Sequence, residues 1–185
     1  MAVHASKKLI SVDEYHRMAE AGIVSENIRV ELIEGEIAEM AAIGNRHATC
    51  VRKLIRQLEG LGSQALLDVQ DPVRLGHWSE PQPDAVLLRY REDFYTGQPP
   101  TPQDVLLLVE VADIFLSFDR GTKVPLYARS GVREVWIINL DADEIEVYRQ
   151  PSETGYGEVR RFRKGDTLSP EALPDLVLEV SSLLP

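Results

Sequence analysis

The segment that most constrains this chain is residues 104–112, DVLLLVEVA. Val105 to Val109 is an unbroken apolar run. A run of that length reads as a strand covered on both faces, the central strand of an α/β sheet. Glu110 follows it directly. A carboxylate so placed must be neutralised, paired or compensated by a cation, because an isolated buried charge is expensive. A second acid, Asp84, opens another apolar stretch immediately after Pro83. Two such carboxylates on neighbouring strand ends make an all-oxygen site suited to Mg²⁺ or Mn²⁺. On the residues alone, each could equally be a strand-end group that reaches solvent or pairs with an arginine.

The remaining pattern supports an α/β protein with a mixed sheet. Residues 11–21 predict a short helix capped by Ser11, and residues 29–40 a hairpin turning at Glu34-Gly35. Asn45 is expected to cap a helix reaching about Gly60, with Ala48, Val51, Leu54, Ile55, Leu58 and Leu61 as its apolar stripe. Strand-like runs follow at 65–75, 84–89 and 104–112. A helix over about 120–130 is expected to stop at Ser130-Gly131, a glycine signal for a helix end. Residues 133–140 and 144–150 predict strands joined through Asp141 to Asp143. A strand near 157–163 and a short run near 176–180 close the chain. No repeat, low-complexity tract or long linker interrupts residues 1–185, which read as one domain with terminal β-hairpins around a strand–helix–strand centre.

Composition narrows the functional field. At 185 residues a hydrophobic core needs no staple, and the single cysteine, Cys50, excludes a disulfide framework and a cysteine-rich zinc module. No apolar run approaches the ~20 residues that span a bilayer, and the N-terminus lacks a secretory pattern, so a cytoplasmic protein is expected. Twenty basic against thirty acidic residues give a net charge of −10, which argues against coating nucleic acid by charge alone. There is no phosphate-cradling GxxxxGK[ST], no dinucleotide glycine fingerprint and no GxSxG elbow.

Lys123 falls early in the helix after the Glu110 strand, where it can be aimed back at that strand's end. Beside a metal–carboxylate site a lysine can orient water or stabilise phosphate charge. The residues alone favour a plainer role, a surface pair with Asp119 one turn away. His47 lies on the apolar stripe of its helix, a place where histidines are more often packed than catalytic. Arg46, Arg52, Lys53 and Arg56 form a basic stretch with no acid, a possible phosphate-contacting face or a solvated one. Residues Ile114 to Phe118 are unusually apolar for a loop between strand and helix: core, oligomer contact and substrate groove all remain open.

Taken together, ELIEGEIAEM (31–40), the His47 helix, SEPQPDAVLL (79–88), LLLVEVAD (106–113), DRGTKVPLYARSGVREVWIINL (119–140) and EVYRQP (146–151) resemble the Uma2 family of restriction-endonuclease-like proteins, within the PD-(D/E)xK nuclease superfamily. The likeness spans about residues 10–180. It implies a mixed sheet flanked by helices, with the active site at the fork of the central strands. Asp84 matches the PD aspartate and Glu110 the acid of the (D/E)xK element. Ala112 stands where the lysine of that element is expected, and the resemblance moves that role to Lys123. Glu31 and His47 match recurrent polar positions and become auxiliary candidates. The PD within LPDLVLEV (173–180) lies after the core elements and is set aside. At Ile114-Phe115 the chain departs from relatives, which tend to carry small hydroxyl or acidic residues there.

The implied activity is Mg²⁺- or Mn²⁺-dependent phosphodiester hydrolysis on nucleic acid, with DNA the expected substrate. Asp84, Glu110 and the backbone carbonyl of Val111 would hold the cation, and Lys123 would orient water or stabilise charge. The rival expectation is a catalytically silent nuclease-fold module that binds or regulates. One chain does not fix oligomeric state, although the apolar 113–118 loop and the hairpin edges are compatible with a homodimer.

Overall fold

The computed structural model describes residues 7–24, 28–40 and 42–185. Helix α1 (Val12–Glu20) leads into the hairpin β1 (Val30–Ile33) and β2 (Glu36–Glu39), then α2 (Asn45–Leu58). Strands β3 (Leu66–Asp68), β4 (Ala85–Leu88) and β5 (Val105–Ala112) precede a helical crossover made of α3 (Leu116–Phe118), a π turn (Asp119–Lys123) and α4 (Val124–Arg129). Strands β6 (Glu134–Asn139), β7 (Glu144–Ser152), β8 (Gly155–Arg163), β9 (Thr167–Leu168) and β10 (Leu178–Glu179) lead to the final helix α5 (Val180–Leu183).

Six strands form one sheet in the order β3-β4-β5-β6-β7-β8, and only β5 and β6 run parallel. A parallel pair needs a crossover between its strands, and the 116–129 segment supplies it. The apolar run of β5 is central, as its composition predicts. Leu107, Val109 and Val111 join the cluster that includes Val51, Leu54 and Leu58 of α2. Leu108 and Ala112 join the opposite cluster, with Val124 and Tyr127 of the crossover. That alternation puts Glu110 on the crossover side. No helix among the described residues is long and apolar enough to cross a membrane.

Local chemistry sets the element ends. Ser11 caps α1 through a reciprocal box with Glu14: the Glu14 amide donates to Ser11 Oγ (3.2 Å), and the Ser11 amide to Glu14 Oε2 (3.0 Å). The 29–40 hairpin turns where expected, with Glu34 and Gly35 both at positive φ. A Cβ at Gly35 would lie 2.7 Å from Leu9 Cβ, so glycine is required there on two counts. Gly131, at φ 85°, ends α4; its amide donates to Ala128, and that of Val132 reaches back to the Tyr127 carbonyl.

Several expectations need correction. Gly44, not Asn45, occupies the cap position of α2, and no side chain caps that helix. The strand expected at 65–75 stops at Asp68. Gln70 turns to positive φ and Pro72 removes a donor, so Val73 and Leu75 bond to Pro81 and Ser79 instead of continuing the sheet. The crossover helix begins at Leu116 rather than near 120, and it is wound wide over 119–123. Pro125 has no amide to offer the carbonyl four residues back, and the wide turn, closed by the Val124 amide on the Asp119 carbonyl, fits that loss. The expected hairpins are present: β1–β2 on the N-terminal side, and on the C-terminal side β7–β8, which continues the main sheet, with the small pair β9–β10 beyond it.

Candidate active site

Four elements converge at the C-terminal end of β5. Asp84 stands just before β4, where Pro83 precludes one more ladder bond, and its carboxylate reaches across to β5. Its Oδ2 accepts from the Val111 amide (2.9 Å) and faces His47 Nε2 (2.9 Å), while Oδ1 accepts from Gln70 Nε2 (3.3 Å). His47 is brought there by the buried stripe of α2; its Nδ1 is buried without a hydrogen-bond partner among the described residues.

Glu110 and Lys123 are each almost wholly buried, at 4% and 2% exposure. Lys123 Nζ lies 2.8 Å from Glu110 Oε1 and 3.1 Å from Glu31 Oε2. Lys123 therefore points inward and forms no ion pair with Asp119, so the surface pairing does not hold. Glu31 reaches the cluster from β1 and also accepts the Gln82 amide (3.2 Å). The Tyr127 hydroxyl donates to Glu110 Oε1 at 2.5 Å.

Negative charge is in excess here. Burial pushes Glu110 up to about 8, with Lys123 opposing and Asp119, Asp84 and Glu31 reinforcing the rise. Burial likewise lifts Asp119 to about 6, against the pull of Lys123. Burial alone would discharge Lys123; Glu110, Glu31 and Asp119 outweigh it and hold the ammonium above its ordinary value. One lysine thus serves several acids. The cluster floors an open cleft walled by Arg29 and Met40 of the hairpin segment and by Phe115 and Phe118 of the crossover.

Of the residues singled out in the sequence, Asp84, Glu110, Val111, Lys123, Glu31 and His47 all line this cleft. The basic stretch does not join them. Arg46 stays at the rim, bonded to the Leu140 carbonyl and close to Asp113 and Asp141. Lys53 is tied to the Leu184 carbonyl, Arg56 to Glu59, and Arg52 is exposed on the outer face of α2. The cause is helical geometry: the stripe that aims His47 inward turns these side chains toward α5 and solvent. Missed in the sequence were Asp119, Tyr127, Gln70 and Arg29. Asp119, Lys123 and Tyr127 recur at intervals of four, one face of a helix, and that signal was legible.

A mixed sheet whose central strands carry two acids at their fork, with a lysine from the crossover, is a restriction-endonuclease-like core. The chain belongs to the Uma2 family, described as "Putative restriction endonuclease", whose model matches residues 12–181. Among solved structures it is similar to a "putative nuclease belonging to DUF820" from Anabaena variabilis ATCC 29413. The two share 18% identity over 94% of this chain and 97% of that one, with a TM-score of 0.73. At that identity the likeness speaks to the fold alone. No curated protein matches the chain.

Proposed function

We propose that this protein is a metal-dependent phosphodiester hydrolase acting on nucleic acid, with DNA as the expected substrate. The observation that carries the reading is the donor set of the cleft, where the buried carboxylates of Asp84 and Glu110 stand at the fork of β4 and β5 and Lys123 is shared between Glu110 and Glu31. Such a donor set is short of positive charge and rich in carboxylate oxygen, which suits Mg²⁺ or Mn²⁺. Among the described residues no three His, Cys, Asp or Glu side chains converge as a ready cage. The site proposed is of the kind usual for Mg²⁺, in which one or two carboxylates are completed by other oxygens. Asp84 and Glu110 would hold the cation, with the Val111 carbonyl as a further ligand.

The cation, when bound, lowers the pKa of a coordinated water and offsets charge developing on the phosphate. The chain's own groups do the rest. Lys123 presents a permanent ammonium at the Glu110 carboxylate, placed to orient water or stabilise the transferring phosphoryl oxygens. His47 and the Val111 amide fix the Asp84 carboxylate, and Glu31 with Tyr127 fixes the Lys123–Glu110 pair. Purified protein should nick DNA only with Mg²⁺ or Mn²⁺ present. Equal background from wild type and a Lys123→Ala/Asp84→Ala double variant refutes catalysis by this cleft.

A second reading is a nuclease fold that binds or regulates without cleaving. One observation favours it: Lys123 and Tyr127 both occupy Glu110 Oε1, so the cluster closes partly upon itself. Absence of nicking together with absence of cation binding selects this reading.

A further inference from the structure

Above its acidic floor the cleft changes character. Ile43, Ile114 and Phe115 line the mouth and are 43%, 75% and 46% exposed, a cluster of large apolar side chains facing water beside a charged site. Isolated exposed apolar residues are ordinary; a group of them rimming a cleft marks a recognition surface. On the hairpin side stands Arg29, the one arginine that lines the cleft among the described residues. Its Nη2 is buried and has no hydrogen-bond partner there, so a guanidinium donor is held ready for an acceptor the protein does not supply.

We propose that the cleft takes an unpaired nucleic-acid strand, one base seated on Phe115 against Ile114 and Ile43, and an adjacent phosphate held by Arg29. The inference rests on the hydrolase reading only for the placement of the scissile phosphate on the floor. Three observations favour a single strand over a duplex. In a duplex the bases are stacked and paired, so an apolar mouth gains nothing until one is extruded at a cost. A duplex also requires many phosphate contacts, yet the chain carries −10, and Arg46, Lys53 and Arg56 are already bonded within the protein. A single strand binds instead by a few cationic contacts plus ring stacking, the combination that Arg29 and Phe115 offer. Arg29 acts here as a positioning residue.

The test measures binding of fluorescent single-stranded and duplex oligonucleotides of the same sequence by anisotropy, with Ca²⁺ as the cation, for wild type, Phe115→Ser and Arg29→Gln. The single strand should bind wild type more tightly, by about tenfold or more. Phe115→Ser should weaken that binding by roughly 5- to 150-fold, the loss brought by removing one stacking ring. Arg29→Gln should flatten its salt dependence by about 0.7 in slope, the value of one phosphate contact on a single strand. Both variants are surface or rim changes whose folding is checked by circular dichroism. Equal affinity for both substrates, or an unchanged single-strand affinity in Phe115→Ser, overturns the proposal. So does a wild-type dimer in sedimentation that Phe115→Ser dissolves without altering oligonucleotide binding, since the mouth would then be a contact between copies. Single-strand binding without cation-dependent cleavage of either the single strand or the duplex sinks the hydrolase reading and leaves this one standing. Duplex nicking that is indifferent to Phe115→Ser does the reverse.

Discussion

Two groups of buried acids in this protein obey opposite rules. On β6 and β7, each carboxylate has its own cation. Glu134 accepts Arg149 Nε (3.0 Å) and Nη2 (2.7 Å), Trp136 Nε1 (2.8 Å) and the Glu171 amide (2.6 Å). Glu146 takes Arg120 Nε (3.0 Å) and the Tyr148 hydroxyl (2.6 Å), and Glu144 takes Arg163 Nη2 (3.1 Å). Burial would raise Glu146, yet Arg120 and Tyr148 outweigh it and hold the carboxyl below its usual range. In the cleft the same burial wins, and Glu110 rises to about 8. The difference teaches that burial of an acid is not itself a functional signal. A buried acid held by an arginine fork is structural; buried acids that share one lysine, as Glu110 and Glu31 share Lys123, are what the proposed cation site would use.

The sharpest way to break this contrast is to remove one acid from each group. Asp84→Asn should lower cation-dependent nicking by roughly 10³-fold, since both the cation site and the charge it supplies are lost. Denaturant unfolding of that variant without metal should show stability unchanged or raised, because a surplus negative charge has gone. Glu134→Gln should do the opposite. Arg149 loses its partner, unfolding free energy should fall by about 2 kcal/mol given that the arginine is partly exposed, and nicking should persist. If both variants lose stability alike, the distinction between the groups collapses.

Titration gives a second, smaller separation. Glu110 has a raised folded pKa, so the native state binds the proton more tightly than the unfolded chain does. The stability it contributes is complete below its ordinary 4.5 and is lost as pH rises through about 8. Thermal unfolding of the metal-free protein should therefore shift downward across that window by a few degrees more in wild type than in Glu110→Gln. Added Mn²⁺ should flatten the wild-type slope. An identical pH dependence in the two proteins contradicts the assignment of the excess charge to Glu110. The smallest effect concerns Tyr127→Phe. Removing one hydroxyl donor from Glu110 should cost about 1 kcal/mol of stability and roughly 3- to 10-fold in nicking rate, measured side by side.

Much of this arrangement is legible in the sequence, and the boundary of legibility is physical. β5 declares itself because Val105 to Val109 leaves no polar face, and Glu110 stands out against that background. The Ser11 cap, the Glu34-Gly35 turn and the Gly131 stop are set by a few neighbouring residues, which is why they are readable. Lys123 was ambiguous because Asp119 offers a local partner; only the fold shows that Glu110 and Glu31 lie closer. Tertiary competition also explains the shortened 65–75 strand, whose later residues bond to the 79–81 and 100 segments. Arg29 carried no sequence signal at all. Its place in the site arises from a donor without a partner among the described residues, inside a cleft built by segments far apart in the chain.

A divalent-cation site formed by the cleft acids, as proposed above, is directly measurable. Calorimetric titration of the purified protein with Mn²⁺ tests it without requiring any substrate. Wild type should bind about one cation at micromolar to millimolar concentration, with proton release that grows as pH falls below 8, and Asp84→Asn should abolish that heat. No binding by wild type at roughly 10 mM Mn²⁺, or binding that Asp84→Asn leaves intact, contradicts the claim.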